Sequence, residues 1–247
     1  MSYFKNFQKV DYDANGNGFT QSLTNLTHYS NIGTKYLDDV SFYSYYNINE
    51  GERPDMASYN LYGTSDYYWT FFIINKDLSN AFNDWPKPTH ALKEFTESKY
   101  DNYAAIAAVV GAGFDPIAGK FNLGETVVGQ VSGAVGTVMA KYPTLGYITI
   151  KTVSGKFRTS GEGIYGSTTQ DLLNTSSIVK RAYAPRYHLD DSTGDQTIKR
   201  TAGTTPYTNF QYEYDQNLDK SKIRVIKPNH IKEVARVFRR EMQAKRS

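Results

Sequence analysis

The stretch Gly51–Asn75, GERPDMASYNLYGTSDYYWTFFIIN, constrains the fold more than any other part of the chain. Seven of the eight residues from Tyr67 to Ile74 are aromatic or aliphatic. A helix apolar almost all round has to be a buried one. Pro54 suits the first turn of a preceding helix, where its missing N–H costs nothing. That helix would run to Tyr62, with Gly63 as the left-handed residue that ends it. Ser65 is the expected cap of a second helix, and Asp66 in its first turn favours the dipole. Tyr67, Phe71 and Ile74 would then share one face, and Tyr68, Phe72 and Asn75 the adjacent one. Upstream, VSFYSYYNI (40–48) alternates as a strand with aromatics on both faces, and Gly51 breaks it. The unit expected is strand, helix, tight turn, buried helix.

Around this unit the signals change. Residues 1–40 are turn-rich and weakly periodic, as in DYDANGNGFTQS, and read as an extended arm. NDWPKPTH forms a turn with Trp85 as an anchor, and Thr89 caps a helix expected to continue through ALKEFTESKYDNYAAIAAVV. From 114 to 170 glycines and β-branched residues rise, and YITIKTV alternates. FNLGETVVGQ, from Phe121, is echoed by FRTSGEGIYGS, from Phe157: Phe, a spacer, Gly-Glu, three residues, Gly. Short strands with Gly turns at this spacing suggest a small β-barrel. Residues 171–220 read as polar loops, and loops of that length wrap surfaces or carry function. KIRVIKP (222–228) is a short strand ended by Pro228. The final helix carries an apolar stripe of Ile231, Val234, Phe238 and Met242, with Arg236, Arg239 and Arg240 among the basic residues beside it.

The net charge is +3, and it is uneven. Residues 228–247 hold six Lys/Arg against two Glu, which makes that segment basic and the rest slightly acidic. A basic terminal segment suggests a partner, against the plainer reading of a solvated helix face. Cysteine is absent, so there is neither a disulfide framework nor a thiolate metal site, which fits a reducing cytoplasm. No stretch has signal-peptide or membrane-span character. Aromatic residues make up 15%, with 21 Tyr, a composition favoured at half-buried surfaces and in β-structure. The four histidines are far apart. His188 with Asp190 and Asp191 is the sole His-carboxylate cluster and reads far better as a solvated loop than as a metal site. No nucleophile elbow, phosphate loop or acid–base pair rises above background, so neither catalysis nor a cofactor is expected.

YYNINEGERPDMASYNLYGTSDYYWTFFIIN resembles the baseplate wedge subunit family of contractile-tailed, T-even-type phages, in particular the protein that joins neighbouring wedges. The features shared are Tyr46 and Ile48 ending the strand, Gly51, Arg53-Pro54-Asp55, Tyr62-Gly63, Tyr68-Trp69 and Asn75. NDWP at 83–86, the closing IRVIKPNHIKEVARVFRREM and the opening YFKNFQKVDYD fit as well. The same order of elements is similar to LysM modules, although Arg53-Pro54 stands where those usually carry Thr-Leu.

The resemblance implies an α+β chain with a LysM-like strand-helix-helix-strand core at 41–113 and 171–247, an extended arm at 1–40 and an inserted barrel-like β-module at 114–170. Long loops and a C-terminal amphipathic helix complete it. It implies a structural protein of the virion tail baseplate, assembled in the host cytoplasm. Its partners would be other wedge and hub proteins and copies in neighbouring wedges of a sixfold ring, with no membrane or nucleic acid. The alternatives are a LysM-type glycan binder tied to cell-wall lysis and, more weakly, a nucleic-acid-binding tail protein. Arg53, Tyr67, Trp85, Arg236, Arg239 and Arg240 are the expected partner contacts. Gly51, Pro54, Tyr62, Gly63, Trp69, Phe72, Ile223, Val225 and Phe238 are the expected core. The closing strand 222–227 should pair with the strand before Gly51.

Overall fold

The computed structural model describes residues 7–25, 39–78, 80, 83–110 and 113–243 of the chain. Most of the second half of the expected arm, 26–38, therefore lies outside the described residues. The chain forms two compact units, one of Met1–Pro88 with Asn217–Ser247, the other of Thr89–Gln216.

The first unit opens with β1 (Lys9–Tyr12) and β2 (Gln21–Thr24), an antiparallel hairpin in which Lys9 faces Thr24. The Asp13 carboxylate accepts the backbone N–H groups of Asn15, Asn17 and Gly18 and shapes its turn. β3 (Tyr43–Asn47) leads to α1 (Pro54–Tyr62). Pro54 sits at the helix start, and Gly63, at φ +72°, ends it by donating its N–H to the Tyr59 carbonyl at 2.8 Å. The second helix starts later than the sequence suggests. Thr64, not Ser65, caps, accepting the Asp66 N–H at 3.3 Å, and Ser65–Tyr67 form a 3₁₀ turn before α2 (Trp69–Ile74). The cause is Ser58. Fully buried, its hydroxyl donates to the Thr64 carbonyl and accepts the Tyr67 N–H, which pins the linker into a tighter turn.

The second unit begins with α3 (Thr89–Lys99). The expected extension through YDNYAAIAAVV does not occur. Asn102 takes a positive φ of 77°, and the next residues form β4 (Tyr103–Ala107). Ala104, Ala105 and Ala107 are fully buried, and their small side chains suit a central strand as well as a helix. β5 (Val109–Val110) and β6 (Gly113–Phe114) make a small ribbon. Then come β7 (Thr126–Gly129), β8 (Val135–Tyr142), β9 (Tyr147–Ser154), β10 (Gly163–Gly166) and β11 (Leu172–Lys180). With β4 they close a barrel in the order β10-β11-β4-β9-β8-β7. Residues 114–170 alone would leave it open, because β4 and β11 lie outside that range. The polar stretch after 171 is likewise structured: β12 (Pro185–Asp190), β13 (Gln196–Thr197) and β14 (Thr204–Thr208) form a sheet, and α4 (Asn209–Asp219) follows.

The Phe…Gly-Glu…Gly echo is an approximate twofold within the barrel. β7 and β10 pair antiparallel, with Val127 opposite Gly166 and Gly129 opposite Ile164, so the two copies face each other. Phe121 and Phe157 both enter the core. The two glutamates cross over. Glu125, before β7, accepts the N–H groups of Thr168 and Thr169 in the turn after β10 and that of Asn122 beside Phe121. Glu162, before β10, accepts those of Val131 and Ser132 in the turn after β7 and that of Arg158 beside Phe157. A Cβ at Gly129 would lie 3.0 Å from the Glu162 carboxyl carbon, and one at Gly166 2.7 Å from a Glu125 oxygen, so glycine at both positions admits the carboxylates. Burial raises the pKa of each glutamate, but the hydrogen bonds outweigh it and hold both below the usual carboxylate range.

The chain then completes the first unit. β15 (Lys222–Ile226) pairs with β3 as the sequence leads one to expect, Ile223 opposite Tyr46 and Val225 opposite Ser44. α5 (Ile231–Gln243) buries Ile231, Val234, Phe238 and Met242. Phe238 stacks on Trp69 at 4.3 Å, and a second cluster gathers Phe71, Trp85, Ile223 and Val225.

Candidate interaction surfaces

In the first unit the expected core residues fall as follows. Trp69, Ile223, Val225 and Phe238 are buried, and Phe72 is half-buried with its ring 5.7 Å from Trp85. Pro54 and Tyr62 are half-buried, while Gly51 and Gly63 are exposed and serve through their positive φ. The Tyr62 hydroxyl donates to the Ile226 carbonyl at 2.9 Å, and burial pushes its pKa upward.

Two residues outside the expected core and contact sets organise this unit. Glu52 is buried and accepts from the Tyr46 hydroxyl at 2.7 Å, the Asn49 N–H at 2.9 Å and the Asn60 side-chain amide at 2.8 Å. Burial works against its charge, but these donors prevail and keep its pKa low. A buried carboxylate survives as an ion only when so surrounded. Asn75 acts as a strand surrogate: it accepts the Arg224 N–H and donates to the Arg224 carbonyl, both at 2.9 Å. The only sequence sign of either was a polar side chain beside an apolar element.

The expected partner contacts divide. Trp85 is internal: only 9% exposed, it donates its indole N–H to the Glu52 carbonyl at 2.7 Å. Tyr67 is half-buried, edge-on to Tyr62 at 5.7 Å. Arg53 is exposed and pairs with Asp55 at 3.2 Å, a solvent-screened contact of small worth. Arg236, Arg239 and Arg240 lie together with Gln243 around an open concavity on α5. Among the described residues none of the three forms an ion pair; Arg239 donates to the Ala235 carbonyl of its own helix.

In the second unit His188 is not in a solvated loop. It is buried on β12, opposite Thr197 and Pro206. Desolvation first, and then Arg200, lower its pKa and favour the neutral imidazole. Asp190 is taken up by Ser192 and Thr193 in the following turn. Among the described residues no group of three or more His, Cys, Asp or Glu is placed to hold a metal ion. No described helix is long and apolar enough to cross a membrane.

Residues 2–111 match the family model of base plate wedge protein 53, so through this stretch the chain is similar to phage baseplate wedge proteins. The match runs from ahead of β1 through β5 and includes the whole Gly51–Asn75 stretch. No curated protein matches the chain.

Proposed function

We propose that this protein joins adjacent wedges of a contractile tail's baseplate. It contacts other wedge and hub proteins and copies of itself in neighbouring wedges of a sixfold ring, and it assembles in the host cytoplasm. The core, in which β15 returns to β3 across α1 and α2, is read as LysM-like in its order of elements and turned to protein contacts. The work requires no cofactor and no catalysis.

The observation that carries this reading is α5. Its apolar stripe is spent inside the first unit, and its outward face presents Arg236, Arg239 and Arg240, which have no carboxylate partner among the described residues. Arginine's planar fork suits bidentate carboxylate recognition. In a head-to-tail ring a basic patch on one subunit meets a different, acidic patch on the next. Arg53 and Tyr67 extend the proposed contact set; Trp85 supports it from beneath.

Reversing all three arginines to Glu tests this. The isolated variant is expected to keep the wild-type circular dichroism spectrum and melting temperature, while baseplates assembled with it fall apart into wedges. Ring closure at wild-type yield would reduce the arginine face to a solvated surface.

A further inference from the structure

The two edges of the β3–β15 sheet are finished differently. The bonds from Ile48 N–H to the Ser221 carbonyl and from Lys227 N–H to the Phe42 carbonyl, each 2.9 Å, fix which opposed residues exchange hydrogen bonds. They are Ser44 with Val225 and Tyr46 with Ile223. Tyr43, Tyr45 and Asn47 on β3, and Lys222, Arg224 and Ile226 on β15, therefore aim their main-chain groups outward. On β15 that edge is closed at its centre and at one end: Asn75 takes both groups of Arg224, and the Tyr62 hydroxyl takes the Ile226 carbonyl. On β3 it is open. Among the described residues no hydrogen bond reaches the outward groups of Tyr43, Tyr45 or Asn47.

The side chains on this open edge are not neutral decoration. Tyr43, Tyr45, Lys222 and Arg224 share one face, and Tyr45 is 59% exposed. Lys222 reaches across to within 5.1 Å of the Tyr45 ring, and Arg224 to within 5.2 Å of the Tyr43 ring. Both cations thus sit above β3, one strand closer to the open edge than their own backbones. A strand added there would run about 4.8 Å away, within reach of both charges. Neither cation has a carboxylate partner among the described residues.

We infer that β3 is a docking edge for an extended, acidic segment of another baseplate protein. The segment adds as a third strand and sets its carboxylates against Lys222 and Arg224. Strand addition draws affinity from main-chain bonds and selectivity from the alternate side chains, and cations laid over aromatic rings supply that selectivity here. A second copy of this chain is the poorer occupant, because β3 against β3 brings two Lys222–Arg224 pairs onto one face, where like charges repel. The inference uses no residue of α5 and rests only on the baseplate role.

The test is amide hydrogen exchange, read by mass spectrometry on the full chain, free and in purified baseplates. In the free protein Ser44 and Tyr46 should be protected while Tyr43, Tyr45 and Asn47 exchange rapidly. In baseplates the latter three should slow by about 100-fold or more, as paired strand amides do. Unchanged exchange there overturns the inference and leaves the wedge-joining reading standing. Protection already present in the free protein, in step with dimer formation on sedimentation, overturns the choice of occupant. Tyr45→Pro removes an outward N–H together with the ring, a backbone change an edge strand tolerates, and should cut incorporation at least tenfold and further than Tyr45→Ala, which removes the ring alone, whereas Tyr45→Phe should not. Lys222→Glu with Arg224→Glu leaves every backbone group in place and should cut it likewise. Wild-type incorporation of this double variant refutes the acidic partner.

Discussion

Replacing Glu162 by Ala should cost the barrel about as much as replacing Glu125, although the two precede different strands. Each carboxylate accepts three main-chain N–H groups, at 2.7–3.3 Å for Glu162 and 2.7–2.8 Å for Glu125. A hydrogen bond to a charged group contributes roughly 1.5–3 kcal/mol, and the turn donors of Glu162 (Val131, Ser132 and Arg158) belong to exposed residues that water can reach once the acid is gone. Taking about 1 kcal/mol for each re-solvated donor gives a loss of roughly 2–4 kcal/mol per site. At a urea dependence of about 2 kcal/mol per molar, the midpoint should fall by about 1–2 M. Both tryptophans, Trp69 and Trp85, lie in the first unit, so the barrel is best followed through tyrosine near-ultraviolet dichroism or the exchange of its strand amides. Because the folded pKa of each glutamate is depressed, its contribution is complete above the unfolded value and vanishes as pH falls through the folded one. Wild-type barrel stability should therefore drop on acidification below the usual glutamate range, and the double Gln variant should lose much of that dependence. A midpoint shift under about 0.3 M for either single variant, or a large effect at one site and none at the other, would refute the crossed-cap reasoning.

Trp69→Ala removes the ring stacked on Phe238 and should destabilise the first unit by about 3–5 kcal/mol, seen as a large fall in melting temperature followed by Trp85 fluorescence; an unchanged melting temperature would contradict the placement. Asn75→Ala opens the second edge of the sheet, strands both main-chain groups of Arg224 and should cost about 1–3 kcal/mol, with the Arg224 amide exchanging fast; a protected Arg224 amide in that variant would argue against the surrogate role.

The strand-helix-turn-helix unit was legible because its signals are local: a proline that starts a helix, a glycine that ends one, and a run too apolar to stay in water. The pairing of β3 with β15 could be anticipated from the order of elements. The late start of α2 could not, since it depends on Ser58 reaching forward to Thr64 and Tyr67. AAIAAVV deceived because alanine fits the crowded middle of a barrel as readily as a helix. LLNTSSIVK reads as a polar loop, yet as β11 it alternates buried Leu173 and Thr175 with exposed Asn174 and Ser176; hydroxyls facing inward hide a strand from a hydrophobicity pattern. The glutamate echo was visible as spacing, but which glutamate serves which turn is a property of the closed barrel. The open edge of β3 was invisible for the same reason: an absent bond has no residue type.

The return of β15 sets a timetable. Asn75 and its partner Arg224 are 149 residues apart, so a ribosome adding about 5–20 residues per second needs roughly 7–30 s to deliver the second after the first. Through that interval Trp69, Phe71 and Ile74 are in the world without Phe238, Ile223 or Val225 to cover them. The barrel, whose strands all lie between, has every residue it needs well before the wait ends. A nascent chain of this protein thus carries a finished second unit and an unfinished first one, and the exposed α2 is what a chaperone would find to hold.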